Sequence, residues 1–337
     1  MNILVTGGTV YIGSHTVLQL LEAGHNVTVI DNLCNSSTES LNRIRNITGI
    51  NQFDFFELDI RDHEALDQLF ARKRFGAVIH FAGLKAVGES NEKPLEYYDN
   101  NVGGTTILCN AMRKANVKTL VFSSSATVYG DPEVVPIPES ARTGGTTNPY
   151  GTSKLMIEQM LEDLSKSDHT WNIARLRYFN PVGAHDSGMI GEDPSGIPNN
   201  LMPYITGVAA GKYPELSVFG DDYDTKDGTG VRDYIHVMDL AAGHLKALEK
   251  LTEKPGLVTY NLGTGNGYSV LDMIKAFEDA NDIKIPYKIT PRRQGDIASC
   301  YADASRAKTE LNWQATRDLT EMVKDAWNWQ SKNPTGY

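Results

Sequence analysis

The N-terminal stretch constrains the fold of this chain more than any other. A short apolar strand, Ile3-Leu4-Val5, is followed at once by Thr6-Gly7-Gly8-Thr9-Val10-Tyr11-Ile12-Gly13-Ser14-His15, a helical pattern, and a second strand ending in Asp31. This order predicts a dinucleotide-binding βαβ unit. Its glycines let the backbone approach a pyrophosphate at the positive end of the helix. Asp31 would bind the adenosine ribose hydroxyls and repel a 2′-phosphate, which predicts NAD rather than NADP.

Apolar, β-branched strands continue to alternate with helical patterns as far as the strand Asn172 to Tyr178. We predict a helix from Pro94 to Lys114 and a strand from Thr119 to Ser123. Such alternation predicts an α/β fold, a Rossmann-type doubly wound parallel sheet. Residues 1–180 would form the NAD-binding domain, and residues 181–337 a smaller α+β substrate-binding lobe. Segments around 230–265 could return to the large domain.

Charge and cysteine content narrow the class of protein. The 337 residues carry a net charge of −10, and the pI is near 5.3, which argues against nucleic acid or an anionic membrane as a partner. Cys34, Cys109 and Cys300 are widely spaced, so we expect no disulfide framework and no metal site. The chain opens on an apolar strand without a basic leader pattern, and we therefore expect a cytoplasmic protein.

Tyr150 and Lys154 lie four residues apart at the predicted start of a helix, so their side chains would share one face. An ammonium about 5 Å from a phenol, at an effective dielectric of about 20, favours the phenolate by roughly 3 kcal/mol. We therefore predict that Lys154 lowers the pKa of Tyr150 and makes it a proton-transfer group. Among 15 tyrosines such a pair also arises by chance, in which case it is surface decoration.

The polar strand end Ser123-Ser124-Ser125, with Tyr150 and Lys154 beyond it, resembles the extended short-chain dehydrogenase/reductase family. Within that family the chain is similar to the UDP-galactose 4-epimerases. The longest matching runs are FAGLKAVGES from Phe81, SSSATVYG from Ser123, RYFNPVGA from Arg177, NNLMPY from Asn199 and GVRDYIHV from Gly230. The resemblance covers nearly the whole chain and implies a catalytic set of Tyr150, Lys154 and Ser125.

The resemblance also implies two sets of binding residues. The NAD set is Gly7, Tyr11, Ile12, Gly13, Asp31, Asn32, Asn35, Ser36, Asp59, Ile60, Phe81, Ala82, Gly83, Lys85, Asn100, Tyr150, Lys154 and Phe179. The UDP-sugar set is Ser125, Asn180, Asn200, Leu201, Ser217, Val218, Phe219, Arg232, Arg293, Asp296 and Cys300. Arg232 and Arg293 would bind the pyrophosphate, because a guanidinium offers bidentate, charge-assisted bonds. Away from such a family position, each arginine is equally well explained as a solvated surface residue.

The chemistry implied is reversible oxidation at C4 of the sugar, which interconverts UDP-galactose and UDP-glucose. Tyr150 would remove the O4 proton while a hydride passes to NAD, and Ser125 would orient the hydroxyl. The resulting 4-keto sugar would turn over before the hydride returns, so that NAD ends as it began. The resemblance further implies a homodimer formed through helices of the large domain.

Three other functions stay open at this point. A 4,6-dehydratase of the same fold needs an Asp-Glu pair after the strand-end residue, and Ala126 and Thr127 stand there instead. An NAD-dependent nucleotide-sugar dehydrogenase would release NADH at each turnover. A catalytically silent NAD-sensing regulator on this fold is disfavoured by the intact catalytic set.

The chain departs from the family pattern at Val10, where the family has glycine. A β-branched residue cannot easily adopt positive φ or let a pyrophosphate come close, so we predict weakened NAD binding. Cys300 holds a position that faces the sugar in this family and carries either a large or a small side chain. Because cysteine is small, we predict activity on UDP-N-acetylglucosamine and UDP-N-acetylgalactosamine as well.

Overall fold

The computed structural model describes residues 1–194, 196, 198–293 and 295–337. Its strands are β1 (Asn2–Thr6), β2 (Asn26–Asp31), β3 (Asp54–Glu57), β4 (Ala77–His80), β5 (Thr119–Ser125), β6 (Asn172–Tyr178), β7 (Asn180–Val182), β8 (Leu216–Phe219), β9 (Val231–Arg232), β10 (Tyr234–His236), β11 (Leu257–Leu262), β12 (Tyr268–Ser269), β13 (Tyr287–Thr290) and β14 (Ser299–Cys300).

The α-helices are α1 (Tyr11–Glu22), α2 (Glu39–Thr48), α3 (His63–Arg72), α4 (Val87–Glu92), α5 (Pro94–Tyr97), α6 (Gly104–Lys114), α7 (Pro149–Ser167), α8 (Leu201–Ala209), α9 (Val237–Leu251), α10 (Val270–Asn281), α11 (Ser305–Leu311) and α12 (Leu319–Lys332). A π-helical segment, Tyr98–Gly103, joins α5 to α6, and a 3₁₀ turn, Ala126–Tyr129, follows β5. Among the described residues, no helix is long and apolar enough to cross a membrane.

Seven parallel strands form the large sheet in the order β11-β6-β5-β4-β1-β2-β3. Side chains alternate across it, so that Ile3 and Val5 enter one hydrophobic cluster and Leu4 enters the other. Helices α1, α2 and α9 cover the first face, and α3, α6 and α7 cover the second. The predicted doubly wound parallel sheet is therefore confirmed.

After β6 the chain builds a second cluster of elements around its own core. Buried side chains of α8, α10 and α12 pack there with those of β8 and β10. The chain nevertheless returns to the large sheet, because α9 packs against α1 and β11 pairs with β6 at the sheet edge. Residues 237–262 thus cover and extend the large sheet rather than the second core.

Two element boundaries predicted from the sequence differ from those in the structure near the candidate site. The single helix predicted from Pro94 to Lys114 is divided by the π-helical segment, which turns Asn100 and Asn101 inward, where both are buried. Asn101 holds the loop after β4, since its amide contacts the Leu84 backbone N–H and C=O at 2.8 and 3.0 Å. The strand predicted to end at Ser123 continues to Ser125, so all three serines belong to β5.

Candidate active site

The turn between β1 and α1 depends on two glycines. Gly7 has φ +68°, and a Cβ there would lie 2.6 Å from the backbone N of Ala82. A Cβ on Gly13 would lie 2.0 Å from the Gly7 carbonyl oxygen. Only glycine fits at either position, so this turn brings the backbone close to the end of β4 at the N-terminus of α1.

Asp31 lies at the end of β2 and is largely buried. Its carboxylate accepts hydrogen bonds from the Leu33 N–H at 3.0 Å, the Ser36 hydroxyl at 3.0 Å and the Thr9 N–H at 3.3 Å. These bonds fix the carboxylate beside the glycine turn. A fixed negative charge in this place suits ribose hydroxyls and opposes a phosphate, as the sequence predicts.

A cleft opens beside this turn, at the carboxyl ends of the strands. Eight of the predicted NAD residues line it together: Gly7, Asp31, Asn32, Asn35, Ile60, Ala82, Gly83 and Asn100. Val10, Ile30, Cys34, Leu58 and Leu84 complete its wall. Leu58 and Leu84 are absent from our sequence prediction, although both directly neighbour strand-end residues that it named.

The other predicted NAD residues are not among those that line the cleft. Asp59 accepts bonds from the Asn32 amide at 3.0 Å and from the Arg61 guanidinium at 2.8 and 3.0 Å. These hydrogen bonds, chiefly those from the Arg61 side chain, hold the pKa of Asp59 well below its usual range. Tyr11 contacts the Gly183 carbonyl, Ser36 contacts Asp31, Phe81 contacts the His244 ring, and Lys85 pairs with Glu192. Ile12 and Phe179 pack in hydrophobic clusters.

Val10 does not adopt the strained conformation that we expected. Its φ is −76° and its ψ is 171°, an extended conformation open to any residue, and it immediately precedes α1. The expectation that this position requires positive φ is therefore wrong, because Gly7 supplies the left-handed residue of the turn. The side chain of Val10 still lines the cleft, so the remaining ground for weaker NAD binding is steric.

The start of α7 is fixed by local sequence. Asn148 caps the helix by accepting the Gly151 N–H at 2.9 Å, and Pro149 occupies the first helical position. Tyr150 therefore lies in the first turn, and Lys154 lies one turn further along the same face. The helix carries both residues to the end of β5, where Lys154 donates to the Ser123 carbonyl at 2.7 Å.

Ser125, Tyr150 and Lys154 come together as predicted from the sequence. Burial raises the pKa of the Tyr150 phenol, and the nearby Ser125 hydroxyl opposes that rise. Thr127 donates to the Ser125 hydroxyl from its backbone N–H at 3.2 Å and from its own hydroxyl at 3.0 Å. Ser125 and Tyr150 remain partly exposed, whereas Lys154 is buried. Two solvent-accessible residues thus lie near a buried ammonium.

The electrostatics differ from the expectation that Lys154 lowers the pKa of Tyr150. Burial raises the pKa of Tyr150, and the Ser125 side chain only partly opposes this. The Lys154 ammonium lies 6.0 Å from the centre of the Tyr150 ring and is directed to the Ser123 carbonyl. Burial also lowers the pKa of Lys154 itself to about 8, against the charge of Glu158, which raises it. Desolvation therefore outweighs the attraction between the pair.

The predicted UDP-sugar residues come from several separate segments. Asn180 begins β7, Asn200 precedes α8 and donates to Glu192 at 2.8 Å, and Leu201 is the first residue of α8. Ser217, Val218 and Phe219 lie on β8, and the Arg293 guanidinium stacks on the Phe219 ring at 4.8 Å. Arg293 also pairs with Asp296 at 3.0 Å.

Arg232 and Arg293 share one neighbourhood, although they lie far apart in sequence. Both guanidinium groups act on Tyr223 and Tyr234, where they partly oppose the burial that raises each phenol's pKa. The Arg232 side chain is half-buried and donates to the Val231 carbonyl at 2.8 Å. Guanidinium groups that offer bidentate, charge-assisted bonds suit a pyrophosphate.

Cys300 lies on β14, in a cluster that includes the residue after Ser125. It pairs with Arg232 in the parallel register of β14 and β9. Its side chain is buried in a small cluster with Ala126 and Phe179. Ala126 directly follows Ser125 in the chain, and Phe179 directly precedes Asn180. Burial raises the pKa of the Cys300 thiol to about 11, so the thiol is neutral at physiological pH.

Comparison with known proteins gives a consistent result. Residues 3–263 match the NAD dependent epimerase/dehydratase family. The UDP-glucose 4-epimerases from Pasteurella multocida and Haemophilus influenzae are 65% and 63% identical to this chain over 337 residues, which is 100% of the chain and 99% of each relative. The crystal structure of UDP-glucose 4-epimerase from Bifidobacterium longum in complex with NAD+ and UDP is 55% identical, covers 100% of both chains and gives a TM-score of 0.97. With the glycine turn, Asp31 and the Ser125-Tyr150-Lys154 set in place, the chain belongs to the NAD dependent epimerase/dehydratase family.

Proposed function

We propose that this chain is a UDP-glucose 4-epimerase that interconverts UDP-galactose and UDP-glucose with bound NAD. One observation carries the proposal: Ser125, Tyr150 and Lys154 meet at the end of β5, on the same sheet edge as the dinucleotide cleft. The curated relatives that are 65% and 63% identical along the whole chain bear the name of this enzyme. A full-length relationship at that identity supports the same reaction.

The cleft suits NAD in shape and charge. Gly7 and Gly13 would let the pyrophosphate approach the N-terminus of α1, and Asp31 would accept the ribose hydroxyls. When bound, NAD supplies a hydride acceptor for C4 of the sugar and a positive charge near the phenol. Lys154, which lies close to Gly83, would hold the ribose at the reactive end, with Asn100 in the wall of the cleft.

Tyr150 is the residue that we propose to move the proton at the sugar O4. In the free protein its pKa is raised, so the phenol is protonated and ready to serve as the acid. Acting as the base requires nearby positive charge, which the Lys154 ammonium provides below its pKa of about 8. The Ser125 hydroxyl lies near the phenol and would bridge the sugar hydroxyl to it.

The UDP moiety would be held firmly while the hexose stays loosely bound. Arg232 and Arg293 are the proposed pyrophosphate ligands, and the edge of β8 with Phe219 would contact the uridine. A tether of this kind lets the 4-keto sugar turn over without leaving the site. Epimerisation needs that freedom, because both faces of C4 must be presented in turn.

We also propose activity on UDP-N-acetylglucosamine and UDP-N-acetylgalactosamine. Cys300 packs against Ala126 and Phe179, next to Ser125, where a larger side chain would fill the space that a 2-N-acetyl group needs. This proposal is independent of the first, since it concerns the shape of the sugar site and not the chemistry at C4.

Two further proposals concern assembly and location. Leu95 on α5 and Met156 on α7 expose 79% and 46% of their surface on neighbouring helices of the large domain, which supports a homodimer formed there. Light scattering would report the mass. Cys34, Cys109 and Cys300 are all free thiols, which supports a reducing compartment, the cytoplasm. Cell fractionation would test that assignment.

The competing functions differ in what they release. Ala126 and Thr127 offer no carboxylate for a dehydratase, and Thr127 is engaged with Ser125. We therefore suggest incubating the purified chain with UDP-galactose and following product and free NADH together. We expect UDP-glucose without free NADH. NADH rising with each turnover would indicate a dehydrogenase, and NAD binding without any product would indicate a regulator.

A further inference from the structure

Glu158 is a buried carboxylate that the proposed mechanism does not use. It lies on α7, one turn beyond Lys154 and two turns beyond Tyr150, and its residue exposure is 2%. A buried charge is costly unless it is paired and fully hydrogen-bonded. Its contacts therefore indicate why the fold keeps it.

Glu158 joins three elements at the catalytic end of the sheet. The Ser124 hydroxyl donates to its Oε1 at 2.6 Å. The Arg177 guanidinium donates to the same carboxylate at 3.0 Å through Nε and at 2.7 Å through Nη2. Ser124 on β5 and Arg177 on β6 are direct partners in the parallel register. One carboxylate thus fixes two adjacent strand ends to helix α7.

The contacts repeat along the helix. Successive turns of α7 present Tyr150, Lys154 and Glu158 to the three consecutive serines of β5. Lys154 donates to the Ser123 carbonyl at 2.7 Å, Glu158 accepts from the Ser124 hydroxyl at 2.6 Å, and Tyr150 lies near Ser125. The contacts of Tyr150 and Lys154 belong to the proposed catalytic set, and the contact of Glu158 anchors the same strand end.

We propose that Glu158 is a positioning residue for the epimerase reaction, which holds the strand end of β5 against α7 so that Ser125, Tyr150 and Lys154 keep their relative placement. The inference rests on the proposed function and adds a residue to it. Buried ion pairs contribute little net stability compared with apolar residues of similar size, so stability alone gives little reason to keep this one.

The charge of Glu158 also acts on Lys154. Burial lowers the pKa of Lys154, and Glu158 opposes that lowering. Other groups face the same space: His80 on β4, whose own pKa is lowered by burial and by Lys154, Tyr178 on β6, whose hydroxyl contacts His244, and Arg175 and Arg177 on β6, which both pair with Glu158. His80 and Tyr178 are neutral at physiological pH, and both arginines are cationic, so Glu158 supplies the negative charge in this group.

The test compares Glu158→Gln with Glu162→Gln in the NAD-loaded enzyme. Glu162 lies one turn further on the same helix and pairs with Lys166 at 2.7 Å and Arg175 at 3.6 Å, away from the serines. For Glu158→Gln we expect kcat to fall about tenfold with KM within about twofold, because the reacting groups are misplaced and not the UDP site. Because the Glu158 charge raises the pKa of Lys154, its loss should move the alkaline limb of the pH profile to lower pH. Glu162→Gln should match the parent.

Two variants separate charge, placement and folding. Glu158→Asp keeps the charge but shortens the reach, so it should keep the pH limb while kcat falls. If Glu158→Gln does not fold, the double variant Glu158→Gln, Arg177→Met removes both buried charges and should fold with a reduced kcat. Parent-like kcat and an unmoved pH limb in folded variants would overturn the inference.

A readout without turnover keeps this test distinct from that of the proposed function. In protein labelled with ¹³C-lysine, the signal of Lys154 is assigned by its loss in Lys154→Met and titrated by NMR. We expect its midpoint at about 8 in the parent, because burial lowers it, and at a lower pH in Glu158→Gln, because the opposing charge is lost. An inactive parent would refute the proposed epimerase activity, whereas an unchanged Lys154 midpoint in Glu158→Gln would refute the role of Glu158.

Discussion

Replacing Lys154 with methionine should abolish activity and yet stabilise the free protein at neutral pH. Burial lowers the pKa of this lysine from 10.5 to about 8, and its residue exposure is 6%. That difference of 2.5 units corresponds to about 3 kcal/mol of destabilisation when both states are charged. Losing the bond to the Ser123 carbonyl costs about 1 kcal/mol in return. Lys154→Met should therefore raise the free energy of unfolding by about 2 kcal/mol at pH 7.

The sign of the effect depends on pH in a defined way. Below pH 8 the lysine is charged in both the folded and the unfolded chain, so its burial cost is fully present. Between pH 8 and 10.5 the folded chain has released the proton and the unfolded chain has not, so the parent gains stability as pH rises. Above that window the cost is gone, and the variant should be the less stable protein by the lost hydrogen bond.

Chemical denaturation at several pH values between neutral and alkaline measures this difference. Both proteins should be freed of NAD first, because a bound cofactor stabilises the folded state by mass action. Lys166→Met is the matched control, since Lys166 lies on the same helix but exposes 66% of its side chain. A variant less stable than its parent at pH 7, or a difference that does not change with pH, would refute the reasoning.

Three other substitutions test separate parts of the site. Val10→Gly should tighten NAD binding a few-fold by removing a side chain from the cleft, and equal affinity by calorimetry would count against the steric effect. Cys300→Tyr should lower turnover of UDP-N-acetylgalactosamine by about 100-fold or more while UDP-galactose turnover stays within about threefold. Equal loss on both substrates would contradict the proposed role in sugar size. Asp31→Asn should shift the NAD to NADP affinity ratio toward NADP by about tenfold, and an unchanged ratio would contradict its role.

Much of the fold follows from local patterns in the sequence. The order of strand, glycine turn, helix, strand and acid requires a tight turn that few other structures contain, and it correctly places Gly7, Gly13 and Asp31. Helix α2 was not predicted from the sequence, because Glu39–Thr48 is mostly polar and buries only Ser40, Leu41 and Ile44. The π-helical segment also escaped, since its inward turn depends on the tertiary contact between Asn101 and Leu84.

The pKa shifts in the site were harder to predict from the sequence than the residues that form it. Spacing alone brings Tyr150 and Lys154 to one face, but the direction of their pKa shifts depends on burial, which the spacing does not give. Glu158 appears in the sequence as an ordinary helix charge. Its importance emerges only when β5 and β6 bring Ser124 and Arg177 together in register.

The most direct test of the proposed reaction follows the hydrogen at C4. Purified protein is incubated with UDP-galactose that carries deuterium at C4, and the UDP-glucose formed is examined by mass spectrometry and NMR. We expect the deuterium to remain at C4 of the product, because the same site removes the hydride and returns it to the opposite face while Tyr150 handles only the O4 proton. Loss of the label to solvent or to NADH free in solution would contradict epimerisation within this site.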